Sequence, residues 1–373
     1  MKELFENFPV NKKLGIGLLL VMVAALIFVS KDAFLYKETI AKITTVENVF
    51  SHEAEGPNEE IEKYYDQEMT ASVLNGKYKG KEITLKNTYS SSGINDERYY
   101  KGDQVFVSLT GDGDYGSIMG KKRDVYLALL LGVFLFLLFY INRKHGCMIF
   151  FSLLMNLTVF SLALWRYKEG VDMVAVAFVM MVMFSILTLL FAGGFYKKTL
   201  VALISTLVTT MLCYGIYEVA LLANDRLPYE MMEYAVNPND LSDLFLTGIL
   251  MGSLGAVMDV CISIAASVTE IKETSPDITL KALIKSIREM GYDIMGTMIN
   301  VLFFTYISGT IPIVIVKINN GYTLYHLIHF HLIFEIIRFL MGAIGIVLAI
   351  PVTGFFSVLL LHKKSVGERG NEK

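Results

Sequence analysis

One apolar segment of the chain carries carboxylate side chains at a spacing that suits proton or ion chemistry. Asp259 lies well inside the run 244–268, which is otherwise free of charged residues. Ser263 follows one helical turn later, and Glu270 lies about three turns beyond Asp259 on the same face. Because lipid disfavours the charged form of a carboxyl group, Asp259 is expected to exchange a proton or to pair with a cation. The alternative is a carboxyl group whose hydrogen bonds only hold helices together.

The next apolar segment, 294–316, begins with a second polar stripe. Asp293, Thr297 and Asn300 are spaced i, i+4 and i+7, which places them on one helix face. Asn300 and Asp259 then lie at similar depths, and facing stripes at matched depth predict an intramembrane relay. Buried polar groups that only satisfy one another give the same pattern, and Asp293 is also explained as an acid favoured at a helix N-terminus. The relay candidates are Asp259, Ser263, Glu270, Asp293, Thr297 and Asn300.

Small residues accompany both stripes. Gly248, Gly252 and Ala256 recur every four residues, a spacing that lets two helix backbones approach closely. The residues predicted to serve helix packing are Gly248, Gly252, Gly255, Ala256 and Gly296. If packing is their main role, Asp259 only fixes the register of the helices.

The remaining polar groups near the apolar segments predict structure rather than catalysis. Glu335 and Arg338, spaced i and i+3, predict a structural ion pair. His326, His329 and His331 are clustered, but the spacing of nearby carboxylates and cysteines does not suit a metal site. No Walker motif, His-Glu-x-x-His motif or nucleophile elbow is present. We therefore predict no catalytic residue, no metal, no cofactor and no enzymatic activity.

The elements that must position these residues are membrane helices. The chain is 54% hydrophobic and only 18% charged, with a mean hydropathy of +0.51, which argues against a soluble enzyme. A formal net charge of −3 without a basic tract gives no reason to expect nucleic-acid binding. Eight runs are long and apolar enough to cross a bilayer. They are 14–30, 125–142, 146–165, 173–196, 199–217, 244–268, 294–316 and 339–361.

This pattern predicts an all-α polytopic membrane protein with a small β-rich domain. The predicted divisions are a transmembrane anchor at 1–30, an extracytoplasmic domain at 31–123, a seven-helix transmembrane domain at 124–362 and a cytoplasmic tail at 363–373. In the soluble block, period-two alternation and glycine turns begin at about residue 68 and indicate an OB-like or barrel-like fold. The stretch before it is expected to extend the first helix or to form an exposed connector.

Lys and Arg in the connections predict that both termini are cytoplasmic and that residues 31–123 lie outside a bacterial cytoplasmic membrane. The cytoplasmic connections would then include Lys12, Lys13, Arg143, Lys144, Lys197, Lys198, Lys363 and Lys364. Three basic residues at 121–123 disagree, but they end a long translocated domain, where the rule is weaker. The acidic loop around 225–243 agrees with this orientation.

Three stretches resemble the YibE/F-like family of bacterial membrane proteins. They are Gly252 to Ser267, the pair Glu270-Ile271, and Gly291 to Asn300, within a resemblance that spans about residues 125–362. Tyr292 stands where the family commonly has Arg, and Val301 stands where a second Thr is common. The resemblance implies no particular activity. It implies a partner, since members like this one are often encoded beside counterparts that lack the outer domain.

A more distant likeness joins the Asp259 segment, the amphipathic connector 275–290 and the Asn300 segment to the fourth and fifth helices of SecD and SecF. Those proteins belong to the RND superfamily, which couples proton flow to movement of an outer domain, although their units have fewer helices. We therefore expect a transport or export component, with proton coupling as a hypothesis and a second YibE/F-like subunit as partner. The alternative is a membrane scaffold or assembly factor. The residues do not indicate a substrate.

Overall fold

The structure is a computed structural model that describes residues 12–55, 61–93, 96–110, 114–223 and 241–362. The predicted tail 363–373 and most of the acidic loop 225–243 lie outside the described residues. The described chain divides into two compact units, residues 1–146 and 147–373.

The described residues contain eight helices that are long and apolar enough to cross a membrane, which confirms the predicted fold class. The bounds are α1 Lys12–Ser30, α2 Asp124–Arg143, α3 His145–Lys168, α4 Met173–Gly193, α5 Lys197–Ala223, α6 Leu241–Thr274 and α7 Leu280–Asn319, followed by α8. Helix α8 starts as Leu324–Leu327, passes through a π-helical turn at Ile328–Leu332 and continues as Ile333–His362.

Helices α2 and α3 follow each other across a sharp kink. Arg143 adopts φ 46° and ψ −116°, a backbone conformation that no α-helix contains. Helix α2 belongs to the first compact unit, whereas nearly all of α3 belongs to the second.

A five-stranded barrel lies between α1 and α2 in the chain. Its strands are β1 Thr39–Glu55, β2 Ile61–Val73, β3 Glu82–Ser90, β4 Gln104–Thr110 and β5 Tyr115–Lys121. They close in the order β1-β2-β3-β5-β4, with β3 and β5 parallel and the other pairs antiparallel. A small closed barrel of five strands is the architecture expected of an OB-like domain.

The expectation that β-structure begins at about residue 68 is wrong. Strand β1 starts at Thr39 and pairs with β2 from Ala41 opposite Val73 as far as Glu55 opposite Ile61. Beyond residue 46 both faces of β1 are largely exposed, so its sequence is polar and lacks the apolar alternation that marks a half-buried strand.

The second unit is a bundle centred on α6. Buried apolar side chains of α4, α5, α6, α7 and α8 form its core. Gly248 lies against Arg338 and Gly345 lies against Val257, so α6 and α8 run in the same direction. Helix α7 runs the opposite way and packs on α8, where Gly291 meets Ile350 at one end of the contact.

Candidate functional site

Asp259 lies on an exposed stripe of α6. The opposite face of this helix is buried in the bundle core, but the side chains of Asp259, Ser263 and Glu270 are exposed. Asp259 makes no hydrogen bond and no ion pair with any described residue. Gly255, one turn earlier, has no atom within 4 Å of the place a Cβ would occupy. The described chain therefore leaves this stretch of α6 open.

The stripe on α7 is exposed as well, and its polar groups bond to their own helix. The Thr297 hydroxyl donates to the carbonyl oxygen of Ile294 at 2.9 Å, and the Asn300 amide donates to that of Gly296 at 2.7 Å. Asp293 is exposed in the first half of a long helix that starts at Leu280. Its explanation as an acid at a helix N-terminus is therefore wrong, because the described helix begins three turns earlier.

The expected relay between facing stripes is not formed within the described chain. No hydrogen bond joins any two of the six relay candidates there. Helices α6 and α7 meet instead where Tyr306 packs against Gly252. At about 100° per residue, Asn300 lies about 120° and Thr297 about 180° around α7 from Tyr306. The Thr297–Asn300 stripe is thus turned away from α6.

The two stripes do lie at the same height along the antiparallel helices. Asp259 is seven residues beyond Gly252, and Asn300 is six residues before Tyr306. With a rise of about 1.5 Å per residue, both lie about 10 Å from the Gly252–Tyr306 contact. Depth was therefore predictable from spacing, whereas rotation about the helix axis was not.

The small residues of the two stripes differ in which side chains lie beside them. Gly248 leaves room for the guanidinium group of Arg338, and Gly252 leaves room for the hydroxyl end of Tyr306. Ala256 packs on the edge of the bundle core. Gly255 and Gly296 face open space. On the α6 row, the glycines nearest its N-terminus thus admit polar side chains of neighbouring helices.

Sequence comparison gives a family for both parts of the chain. The YibE/F-like protein family matches residues 130–363, which include every residue of the two stripes. The chain belongs to the YibE/F family. The YibE/F family N-terminal domain matches residues 34–124, which include the whole barrel. No curated protein and no solved structure matches the chain. The likeness to SecD and SecF stays a prediction.

Tyr292, one of the two residues that depart from the YibE/F pattern, contacts a side chain one turn earlier in its own helix. The Tyr292 hydroxyl accepts a hydrogen bond of 2.8 Å from Nε of Arg288, whose guanidinium also lies over the Tyr292 ring. A guanidinium therefore reaches this position from the preceding turn of α7. Val301 is an exposed apolar side chain.

Glu335 and Arg338 form an ion pair, and the pair is part of a larger polar cluster. Their side chains are only 21% and 23% exposed. The Arg338 guanidinium lies over the Phe245 ring, 5.2 Å from its centroid, and both charged groups interact electrostatically with Tyr306. The Arg338 Nε atom is buried and has no hydrogen-bond partner among the described residues.

The histidine segment coincides with the π-helical turn of α8. His331 lies within hydrogen-bond distance of the Lys317 ammonium group at the end of α7, with 2.7 Å between Nε2 and Nζ. The His329 ring stacks on Tyr325. These contacts tie the end of α7 to the start of α8.

Sequence reasoning missed Tyr306 and a set of buried hydroxyl groups. Tyr306 follows an aromatic pair in an apolar run and is off the predicted stripe, so no periodicity singles it out. Four hydroxyl oxygens on α5 and α8 are buried without a hydrogen-bond partner within the described chain, and two more bond to the Cys261 thiol. The four belong to Thr199, Ser205, Thr209 and Ser357, and the two belong to Thr206 and Thr353. Serine and threonine are ordinary residues of helices, so their types alone do not mark these positions. Only the packing shows that their hydroxyl groups lie in the bundle core.

Proposed function

We propose that this YibE/F protein is a subunit of a proton-coupled transport or export system in the bacterial cytoplasmic membrane. The observation that carries the proposal is the exposed, unpaired carboxyl group of Asp259 on α6, beside the open face of Gly255. A charged side chain near the bilayer centre costs about 3 kcal/mol or more when it faces lipid. An Asp259 that is to carry a charge during proton exchange must therefore be covered by something other than lipid.

A second membrane subunit is the cover that we propose. A YibE/F-like partner without the barrel would lie along the open stripe of α6, and the space between the subunits would give Asp259 access to water. The stripe of α7 would reach the same path only through such a partner, because its polar groups point away from α6 in the described chain.

Replacing Asp259 with Asn tests proton coupling directly. In liposomes that contain the purified complex and a pH-sensitive dye, the wild-type complex should conduct protons under an imposed membrane potential, and Asp259→Asn should reduce that flux at least tenfold. Dicyclohexylcarbodiimide, which attacks carboxylic acids in apolar surroundings, should label Asp259 in the wild-type protein only. Glu273→Gln is the matched control, since it neutralises an exposed acid of the same helix.

The scaffold alternative predicts a different outcome. If Asp259 only fixes the register of the subunits, Asp259→Asn should weaken the complex in detergent, and neither protein should conduct protons. Equal proton flux through wild-type and Asp259→Asn complexes would remove the coupling proposal.

The proposed orientation has its own test. With Cys147, Cys213 and Cys261 replaced by Ser, a membrane-impermeant maleimide should label Lys101→Cys in the barrel from outside intact spheroplasts. Ser275→Cys, in the connection between α6 and α7, should be labelled only after permeabilisation. The reverse pattern would place the barrel in the cytoplasm.

A further inference from the structure

The stripe of α6 that carries Asp259 leads to a second ionisable cluster. Gly248, Gly252 and Asp259 lie within about 40° of one another around the helix, at about 100° per residue. Arg338 and Tyr306 occupy the places beside Gly248 and Gly252. The stripe is therefore covered by α7 and α8 toward the α6 N-terminus and open from Gly255 onward.

The cluster consists of Glu335, Arg338 and Tyr306, which we call the Tyr306 cluster. Its carboxylate and guanidinium are paired and mostly buried. The pair does not use every donor, because Arg338 Nε is buried without a partner among the described residues. A buried donor with nothing to bond to indicates a place for water or for a moving acceptor.

Small residues separate this cluster from Asp259. Tyr306 lies at Gly252, and Asp259 follows about 10 Å along α6, with Gly255 and Ala256 between them. No atom of the described chain lies within 4 Å of a Cβ at residue 255, so this stretch of the α6 surface, which we call the lane, is uncovered. A hydroxyl group at one end and a carboxyl group at the other can exchange protons through two or three water molecules.

We propose that the Tyr306 cluster is the second proton station of this protein, which rests on the proton coupling proposed above. Glu335, when protonated, gives its proton through water to the Tyr306 oxygen, while the Tyr306 hydroxyl proton passes along the lane to the Asp259 carboxylate. Tyr306 ends neutral, Asp259 becomes a carboxylic acid, and Glu335 becomes a carboxylate paired with Arg338. Charge and protons balance at each step.

Gly252 and Gly215 provide a matched pair of variants, one beside Tyr306 and one on α5 away from the lane. A Cβ at residue 252 would collide with the Tyr306 hydroxyl, whereas a Cβ at residue 215 would meet nothing within 4 Å. In the proteoliposome assay, Gly252→Ala should lower both the thermal midpoint and the proton flux, and Gly215→Ala should change neither. Tyr306→Phe should keep the thermal midpoint and reduce the flux at least tenfold.

The double variant separates chemistry from packing. Removing the hydroxyl removes the atom that Gly252→Ala would strike, so Gly252→Ala with Tyr306→Phe should recover the thermal midpoint but not the flux. Recovery of proton flux in the double variant, or wild-type flux in Tyr306→Phe, would overturn the inference about Tyr306. A loss of proton flux in Asp259→Asn would still support the proposed function in that case. Wild-type flux in Asp259→Asn would instead refute the proposed function itself.

Discussion

Lys122 is a buried cation that joins the barrel to both neighbouring membrane helices. It is 5% exposed, and its ammonium group lies 2.7 Å from a carboxylate oxygen of Asp32 and 3.2 Å from one of Asp124. It also donates a 3.0 Å hydrogen bond to the carbonyl oxygen of Val29. Because Val29 belongs to α1 and Asp124 begins α2, one side chain fixes both helices to the end of β5.

Replacing Lys122 with Met should destabilise this junction strongly. The change keeps most of the apolar stem but leaves Asp32, which is 6% exposed, without its cation. Removing one partner of a buried ion pair costs about 3–5 kcal/mol. Hydrogen exchange of the barrel strands in the full-length protein measures the loss of protection. Lys101→Met, at an exposed turn, is the control, and equal protection in both variants would contradict the assigned role.

Tyr36 gives the same junction a dependence on alkaline pH. Its hydroxyl donates to the Asp124 carboxylate, and this hydrogen bond, burial and the surrounding negative charges raise the Tyr36 pKa to about 12. The folded state therefore holds the proton more tightly than the unfolded chain, whose tyrosine pKa is about 10. The resulting stability is complete below about pH 10 and is lost as the pH rises through about 12.

An ultraviolet titration checks this prediction. Subtracting the phenolate absorbance of Tyr36→Phe from that of the wild-type protein should leave a single step near pH 12, accompanied by loss of hydrogen-exchange protection in the barrel. A step near pH 10 would show that the hydrogen bond to Asp124 does not hold the phenol neutral.

Among the helices and strands, an element could be predicted from the sequence where its surroundings require apolar side chains. The eight membrane helices were readable from length and hydropathy alone, because a span must be apolar over most of its length. Strand β1 was not, since the hairpin it forms with β2 beyond residue 46 is largely exposed and its order comes from backbone pairing. The π-helical turn at Ile328–Leu332 also left no trace in the sequence, because its side chains do not differ in type from those of an α-helix.

The candidate site shows the same division. Spacing alone placed Asp259, Ser263 and Glu270 on one helix face, and the structure adds that this face is exposed. The predicted meeting of Asp259 with Thr297 and Asn300 was wrong for the described chain, because periodicity gives the polar face of each helix but not its rotation toward a neighbour. That rotation is set by packing contacts such as Tyr306 against Gly252, which no spacing rule contains.

The kink between α2 and α3 is an element whose strain can be tested. Arg143 has a positive φ that side chains rarely adopt, so Arg143→Gly should stabilise the protein by about 1 kcal/mol. Gly146 lies where a Cβ would be 2.7 Å from the Leu138 carbonyl oxygen, a backbone atom that cannot move aside. Gly146→Ala should therefore destabilise by about 1–3 kcal/mol. Thermal unfolding in detergent measures both.

Gly17→Ala is the control for that pair. Gly17 lies in α1 with nothing within 4 Å of a Cβ, so alanine there should be neutral or slightly stabilising through its helix propensity. If the Gly146→Ala protein has the same melting temperature as the Gly17→Ala protein, the backbone at the kink adjusts without a loss of stability.

For the whole molecule, burial within the described chain divides the helices sharply. Half of the residues in the apolar spanning stretch of α6 are buried. In the corresponding stretches of α1 and α2 none is buried, and in that of α7 only 6% are. An apolar helix surface such as those of α1 and α2 can face lipid without cost. Lipid is a poor cover for α6, because its exposed stripe carries the polar side chains of Asp259, Ser263 and Glu270. An interface with another membrane protein is therefore expected along α6 rather than along α1 or α2.

Site-specific photocrosslinking tests that interface in living cells. A photoreactive phenylalanine analogue at Ser263, an exposed position one turn from Asp259, should form one discrete adduct with a second membrane protein, which mass spectrometry should identify as a YibE/F-like chain without a barrel. The same analogue at Phe151, an exposed apolar position of α3, is the control and should give no protein adduct, because lipid surrounds it. An adduct with a second copy of this chain would replace the proposed partner by a homodimer. No adduct at Ser263 would mean that lipid, or water alone, meets the carboxylate stripe.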